Sequence, residues 1–196
     1  MQTSPRIVIL AGPNGAGKST TASGILKGAL SVNEFVNADI IAQGLSVFSP
    51  EEVSIQAGRA MLNRIHNLAA VKANFAFETT LASRSFKQMI IMLKRESGYS
   101  SHLVFLWLQS PELALARVIN RVEMGGHSVS EDIIRRRYSS GLKNFFNLYL
   151  PIIDSWYFYD NSYENKLILI AKGSGESIKQ VAVPEIWNRL REQYCG

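Results

Sequence analysis

Residues Gly12-Pro13-Asn14-Gly15-Ala16-Gly17-Lys18-Ser19 satisfy the pattern G-x-x-x-x-G-K-S, between an apolar run, Arg6 to Ala11, and a helix-forming run that opens at Lys18. Such a loop needs a strand before it and a helix after it. Its glycines let the backbone wrap so that N–H groups point at phosphate oxygens, and the helix adds its positive dipole end. Lys18 is placed to bridge β- and γ-phosphates, and Ser19 to offer a hydroxyl to Mg²⁺. A glycine-rich turn that merely capped a helix would have no use for Lys-Ser at the helix start. The ATP-binding set is therefore read as Gly12, Pro13, Asn14, Gly15, Ala16, Gly17, Lys18, Ser19 and Thr20.

The rest of the chain supports the α/β class that this loop demands. Short runs rich in β-branched and aromatic residues alternate with stretches of helical spacing, the pattern of a mostly parallel sheet. Strands are expected over Arg6 to Ala11, Glu34 to Asn37, Phe75 to Glu78, His102 to Leu108, Trp156 to Tyr159 and Leu167 to Ala171. Helices are expected over Lys18 to Leu30, Pro50 to Lys72, Ser83 to Glu96, Pro111 to Glu123, Val129 to Tyr149 and Glu176 to Arg191. Ser110-Pro111 reads as a helix start with proline at the first position, and Ser128-Val129-Ser130-Glu131 as a capping box.

The 196 residues fit one domain, 1–196, a three-layer sandwich of the P-loop kinase kind with a helical lid over about residues 117–140. No apolar run approaches the roughly 18 residues of a membrane span, and Met1 to Arg6 lacks the cationic leader and apolar stretch of a secretory signal, so none is expected. A single cysteine, Cys195, excludes an intrachain disulfide or a cysteine zinc site. A cytoplasmic protein is expected. The net charge of +5 favours anionic partners without choosing between nucleotides and nucleic acid.

Open parallel sheets bind ligands beyond the carboxyl ends of their strands, so residues at those ends are the candidates for chemistry. Asp39 follows the second expected strand and could take a hydroxyl proton during phosphoryl transfer, or cap a helix. Glu78 closes the third and could hold substrate hydroxyls or a magnesium-bound water, or help Thr79 and Thr80 cap the next helix. Arg117 and Arg121 share a helix face, and Gly125-Gly126-His127 separates them from Arg135-Arg136-Arg137. Arginine forks closing over phosphates suit a lid, although glutamates nearby could pair with some of them. On the second helix the apolar stripe Ile134, Tyr138, Leu142 leaves Arg136 on the opposite face, free to meet an anion. His127 could contact phosphate or end the turn. Trp156-Tyr157-Phe158-Tyr159 reads as core, Asp160-Asn161-Ser162 as a turn, and Gly173-Ser174-Gly175 as a weak candidate for an adenine floor.

The loop words Gly-Pro-Asn-Gly-Ala-Gly-Lys-Ser-Thr also occur in transporter ATPases, but no Leu-Ser-Gly-Gly-Gln run and no apolar strand ending in Asp-Glu accompanies them. The chain instead resembles the zeta toxin family of phosphate-loop kinases, through Asn37-Ala38-Asp39, Phe77-Glu78-Thr79-Thr80-Leu81, Pro111-Glu112-Leu113, Gly125-Gly126-His127-Ser128-Val129, Arg135-Arg136-Arg137-Tyr138 and Tyr159-Asp160-Asn161-Ser162. The resemblance implies ATP and Mg²⁺ as cofactors, UDP-N-acetylglucosamine as acceptor, Asp39 as catalytic base, Glu78 and Thr80 as acceptor contacts, and Arg121 as a phosphate-contacting lid arginine. Ala42 stands where well-described members have an arginine, and His127 near the place of a second lid arginine. Both departures weaken the case for the same acceptor and point to a chromosomal Gly-Gly-His branch, for which a protein antitoxin is a candidate partner and not a required one.

The expected catalytic set is Lys18, Asp39, Arg121 and Arg136, with Asp39, Glu78, Thr80 and His127 around the acceptor and Ser19 on the metal. The rival readings are a kinase of another metabolite or an antibiotic, of the chloramphenicol phosphotransferase kind, and a nucleotide-regulated nucleic-acid-binding protein. A protein that binds ATP without turnover and acts by contacting a partner is a third.

Overall fold

Seven strands form one sheet in the computed structural model, which describes residues 4–24, 32–46, 53–126, 128–164 and 166–196. They are β1 (Arg6–Ala11), β2 (Glu34–Val36), β3 (Phe75–Thr79), β4 (Ser100–Trp107), β5 (Ser155–Tyr163), β6 (Lys166–Ser174) and β7 (Ser177–Val181). The order is β2-β3-β1-β4-β5-β6-β7. The first five strands are parallel, and β6 and β7 add an antiparallel edge. Residues Ile7 to Ala11 are all fully buried, so both faces of the central strand are covered. That explains the uninterrupted apolar run: side chains alternate between faces, and neither face meets water.

The described helices are α1 (Lys18–Ser23), α2 (Ala38–Leu45), α3 (Ser54–Ala70), α4 (Ser85–Ser97), α5 (Pro111–Glu123), α6 (Glu131–Asn144) and α7 (Pro184–Tyr194). The expected ends of the first helix, 25–30, and the start of the second, 50–52, lie outside the described residues. Proline starts α5 as expected, with Ser110 accepting from the Leu113 amide at 3.1 Å. The capping box at Ser128 does not form. Ser130 is the N-cap of α6, without a side-chain cap bond, and Glu131 instead accepts from Arg135 at 2.7 Å, one turn on. The helix then widens into a π turn over Phe145–Tyr149.

Two further expectations are corrected. Residues 176–191 are not one helix: Ser177–Val181 pairs antiparallel with β6 after a turn at Gly175, whose φ is +52°, and Pro184 opens α7. Ile178 and Val181 are three apart, a spacing a helix would also allow, so it is the pairing with β6 and not the local pattern that makes this segment a strand. Asp160-Asn161-Ser162 is not a plain turn but the continuation of β5, with register shifts on both sides of Tyr159 and Asp160.

Aromatic side chains fill the layer between the sheet and α6–α7. Trp156 stacks on Trp187 with ring centroids 5.3 Å apart, and Phe105 on Phe158 at 5.1 Å. The core reading of Trp156 and Phe158 therefore holds, while Tyr157 and Tyr159 alternate to the other, partly exposed face. Gly173 has a packing reason, since a Cβ there would lie 2.4 Å from the Trp156 ring. Trp156 Nε1 donates to the Gly175 carbonyl at 2.9 Å. Because β6 runs antiparallel, its end at Gly173-Ser174-Gly175 falls beside the amino end of β5, at the edge away from the phosphate loop. These residues cannot floor an adenine.

At that same amino edge His102 is pinned between two hydroxyls, Ser155 Oγ at 2.7 Å and Ser100 Oγ at 3.3 Å. Burial, then the charge of Arg6, hold its pKa below the usual histidine value, with Asp154 opposing them. The unfolded chain therefore takes up this proton more readily than the folded one. Stability from His102 is intact above about pH 6.5 and is lost as pH falls below it. Thermal melts across pH 7.5 to about 5 should show a decline that His102→Gln flattens; an unchanged slope in the variant would contradict the assignment.

Candidate functional site

The parallel register brings the ends of β1, β2 and β3 side by side, with Leu10 opposite Glu78 and Val36 opposite Phe77. Each strand end carries a residue of the site. After β1 the loop turns at Gly12, φ +143°, where a Cβ would stand 2.2 Å from the Leu106 carbonyl of β4. Gly15 and Gly17 also have positive φ, and Gly17 caps α1 in the left-handed conformation. These positions accept glycine for steric reasons before any ligand is considered.

Lys18 lies over this loop with only 6% of its surface exposed. Its Nζ donates to the Gly12 and Pro13 carbonyls at 2.9 and 2.8 Å, and Glu78 Oε1 lies 3.6 Å away. Burial lowers its pKa, while the charges of Glu78 and Asp39 support the ammonium form. Glu78 Oε2 accepts from Ser19 Oγ at 2.7 Å and from Asn37 Nδ2 at 2.8 Å. Glu78 thus bonds directly to the first two residues of α1. Its partners join β3, α1 and the end of β2 in one polar knot.

Asn37, the expected end of β2 and part of the Asn37-Ala38-Asp39 motif, lies just beyond the strand. Its side chain is the N-cap of α2, accepting from the Asp39 amide at 2.7 Å and the Ile40 amide at 3.3 Å. The capping role weighed for Asp39 therefore falls to Asn37. An Asn after a β run, two residues before an Asp, is itself a cap signal, so α2 was legible there.

A cavity of about 620 Å³ opens above the knot. Asn14, Gly15, Gly17, Lys18, Ser19 and Thr20 line one side of it. Asp39, Glu78, Thr79 and Thr80 also line it, together with the apolar side chains of Met61, Phe86 and Met124. Thr79 Oγ1 accepts from the Leu81 amide, so this threonine shapes the strand end while Thr80 borders the cavity. Arg121 also lines the cavity. The helix behind it ends in a glycine turn: Gly125, φ +86°, donates to the Val122 carbonyl, and Gly126 to the Arg121 carbonyl at 2.8 Å. Gly125-Gly126 is thus a structured helix end. His127 lies outside the described residues.

The expectation for the second basic helix is corrected. Arg136 is exposed and does not line the cavity; Arg137 does. Arg137, Gly141 and Asn144 run at i, i+4, i+7 along the flank of α6 that touches the end of β3. A Cβ on Gly141 would be 2.5 Å from the Thr80 carbonyl, and Asn144 Nδ2 donates to the Leu81 and Ala82 carbonyls. The side chain opposite the apolar stripe faces solvent, whereas the cavity lies beside that stripe. Burial lowers the pKa of Arg137, and the Asp39 charge works against that shift. Arg135 belongs to a solvated face, paired with Glu112 at 2.6 Å and Glu131 at 2.7 Å. Arg117 lines the cavity but donates to the Asn161 and Ser162 carbonyls at 2.8 and 2.9 Å.

The zeta toxin family model matches residues 49–181. This chain belongs to the zeta toxin family. The match spans Glu78, Thr80 and both arginine-bearing helices, while the phosphate loop and Asp39 precede it. An uncharacterized protein of Haemophilus influenzae is 32% identical over 133 residues, 68% of this chain and 92% of the relative. Among solved structures, the AvrRxo1-ORF1:-ORF2 complex with ATP matches with a TM-score of 0.76 at 16% identity. The match covers 95% of this chain and 63% of the matched one, so this chain spans less than two thirds of that protein. The PezAT toxin–antitoxin system of Streptococcus pneumoniae gives 0.67 at 18% identity, over 100% of this chain and 80% of that one. A gluconokinase from Sinorhizobium meliloti gives 0.51 at 14% identity, over 83% and 86%. The three-layer fold is that of P-loop kinases. No described helix is long and apolar enough to cross a membrane.

The loop geometry makes a prediction independent of any ligand. Gly12→Ala must move the β4 backbone or abandon its φ, and should lower unfolding free energy by about 2 kcal/mol or more. Gly44→Ala, in α2 with nothing within 4 Å of the new methyl, should be neutral or stabilising. Urea denaturation distinguishes the two; equal midpoints would refute the close approach.

Proposed function

We propose that this chain is an ATP-dependent phosphotransferase acting on a hydroxyl group of a small molecule, with a nucleotide sugar such as UDP-N-acetylglucosamine as the first acceptor to test. One observation carries the reading: Lys18, Ser19, Asp39, Glu78, Arg121 and Arg137 line a single cavity. Lys18 and the loop amides hold the triphosphate. Ser19 Oγ and the Glu78 carboxylate, 2.7 Å apart, are the hard oxygen donors that suit Mg²⁺, which takes few protein ligands and completes its shell with water and phosphate. When bound, the ion offsets charge on the β- and γ-phosphoryl oxygens. A cytoplasmic setting fits an ATP-using enzyme.

In transfer, the acceptor oxygen forms a bond to the γ-phosphorus while the bond to the bridging oxygen breaks and its electron pair leaves with ADP. The acceptor proton passes to the Asp39 carboxylate. Arg121 and Arg137 line the same cavity as Lys18, and cations positioned there would offset the charge of the transferring group. Thr80, Met61 and Phe86 border the space left for the acceptor, a mixed polar and apolar wall that suits a ring bearing hydroxyls.

Asp39→Asn should lower turnover by at least about a hundredfold while leaving ATP affinity within a fewfold, as expected for a general base. Labelled ATP with a panel of acceptors, followed by product mass, checks this and identifies the acceptor; full activity in the variant removes Asp39 from the mechanism. Among the arginines, Arg137→Ala should reduce turnover about tenfold or more, whereas Arg136→Ala should match the parent protein. The reverse ranking would restore the arginine facing solvent as the clamp.

A further inference from the structure

The motif Asp160-Asn161-Ser162 has no part in the chemistry above, yet each of its three side chains makes a hydrogen bond, and that of Asn161 reaches the phosphate loop. Asp160, 3% exposed, accepts from the Ser162 amide and hydroxyl, and Ser162 Oγ accepts from the Gln109 amide at 2.8 Å. This folds the end of β5 so that the carbonyls of residues 161 and 162 meet the Arg117 guanidinium. Asn161 Nδ2 then reaches the Ala16 carbonyl at 2.8 Å. The same nitrogen stands 2.9 Å from where a Gly17 Cβ would be.

The peptide joining Ala16 to Gly17 is planar and trans, so its C=O and N–H point in opposite directions. Gly17 lines the cavity and Asn161 does not. Pulling the Ala16 oxygen toward Asn161 therefore turns the Gly17 N–H toward the cavity, where a phosphate oxygen would accept from it.

We propose that Asn161 is a positioning residue of the phosphate loop, set in place by Arg117, and that Arg117 acts through it rather than as a phosphate clamp. The inference rests on the nucleotide-binding reading of the loop and adds to it a source of loop preorganisation on a strand outside the G-x-x-x-x-G-K-S motif. A guanidinium already bound to two carbonyls cannot swing onto phosphate without releasing the turn that holds Asn161. Without that turn the 16–17 peptide can rotate, and the loop pays for its order when nucleotide binds.

Isothermal titration of ATP, ADP and AMP, well below the melting temperature, tests this. Asn161→Leu keeps the size and removes the donor; Asn161→Ala serves if the first variant does not fold. Either should weaken ATP and ADP about tenfold, the loss of one hydrogen bond's worth of preorganisation, and leave AMP within a fewfold. A structural residue would lower the melting temperature without changing affinity at low temperature. Arg117→Lys should reproduce the loss, and the double variant with Asn161→Leu should lose no more than either alone. Unchanged ATP affinity in the Asn161 variants overturns the proposal, as does equal loss of AMP, which would mean contact with the nucleoside. Additive losses would make Arg117 a direct phosphate ligand. If the parent protein itself binds no ATP, the nucleotide-binding reading fails first, and this inference with it.

Discussion

Five parallel strands in register must end at one edge of the sheet, and most of the site follows from that constraint. Leu10 lies opposite Glu78, Val36 opposite Phe77, and Trp107 opposite Asp160. The next residue or two along each strand supply the phosphate loop, Asn37, Thr80 and Asn161. No long loop is needed to gather them. The strands that break the pattern, β6 and β7, run the other way or continue the edge, and their glycine turn ends far from the chemistry.

Within that arrangement the buried Lys18 and its partner Glu78 make a heavy electrostatic demand. An ammonium group withdrawn from water keeps its charge only if oxygen atoms replace the hydration shell. Two loop carbonyls and a carboxylate do so. The carboxylate is itself held by Ser19 and Asn37, and Asn37 caps α2 and so places Asp39. Removing Glu78 would leave a buried cation with weaker support and would loosen β2, β3 and α1 together. One polar knot therefore fixes both Lys18 and, through Asn37, the start of the helix that carries Asp39.

The central strands and the phosphate loop were legible because they rest on local rules: an apolar run closed by glycines, and a proline behind a serine. Residues whose roles depend on a distant neighbour were not. Asn161 acts on Ala16, which is remote in sequence, and no pattern near residue 161 signals it. Arg136 was preferred to Arg137 because a helical wheel shows which side chain faces away from the core, not which face borders a cavity. Gly141 could have indicated the answer, since a glycine inside a helix marks close approach, and Arg137 lies one turn before it. The strand in 177–181 was obscured by helix-compatible spacing across a hairpin that only tertiary pairing reveals.

The same close contacts limit how an arginine clamp can work. A Cβ on Gly15 would lie 2.7 Å from the Ala114 carbonyl and 3.1 Å from Arg117 Cβ, so the first half of α5 packs directly on the phosphate loop. Arg117 ties it to β5, and Gly141 with Asn144 ties the second half of α6 to the loop after β3. A lid over residues 117–140 moving as one body would have to release Arg117 from β5 and from the phosphate loop, and to bend α6 just ahead of the anchored Gly141 and Asn144. Arg121 and Arg137, which line the cavity, lie on the two helices held by these contacts. For the phosphotransferase proposed above, such anchoring would hold the helices that carry the positive charge in place, as electrostatic stabilisation of a transferring phosphoryl group requires.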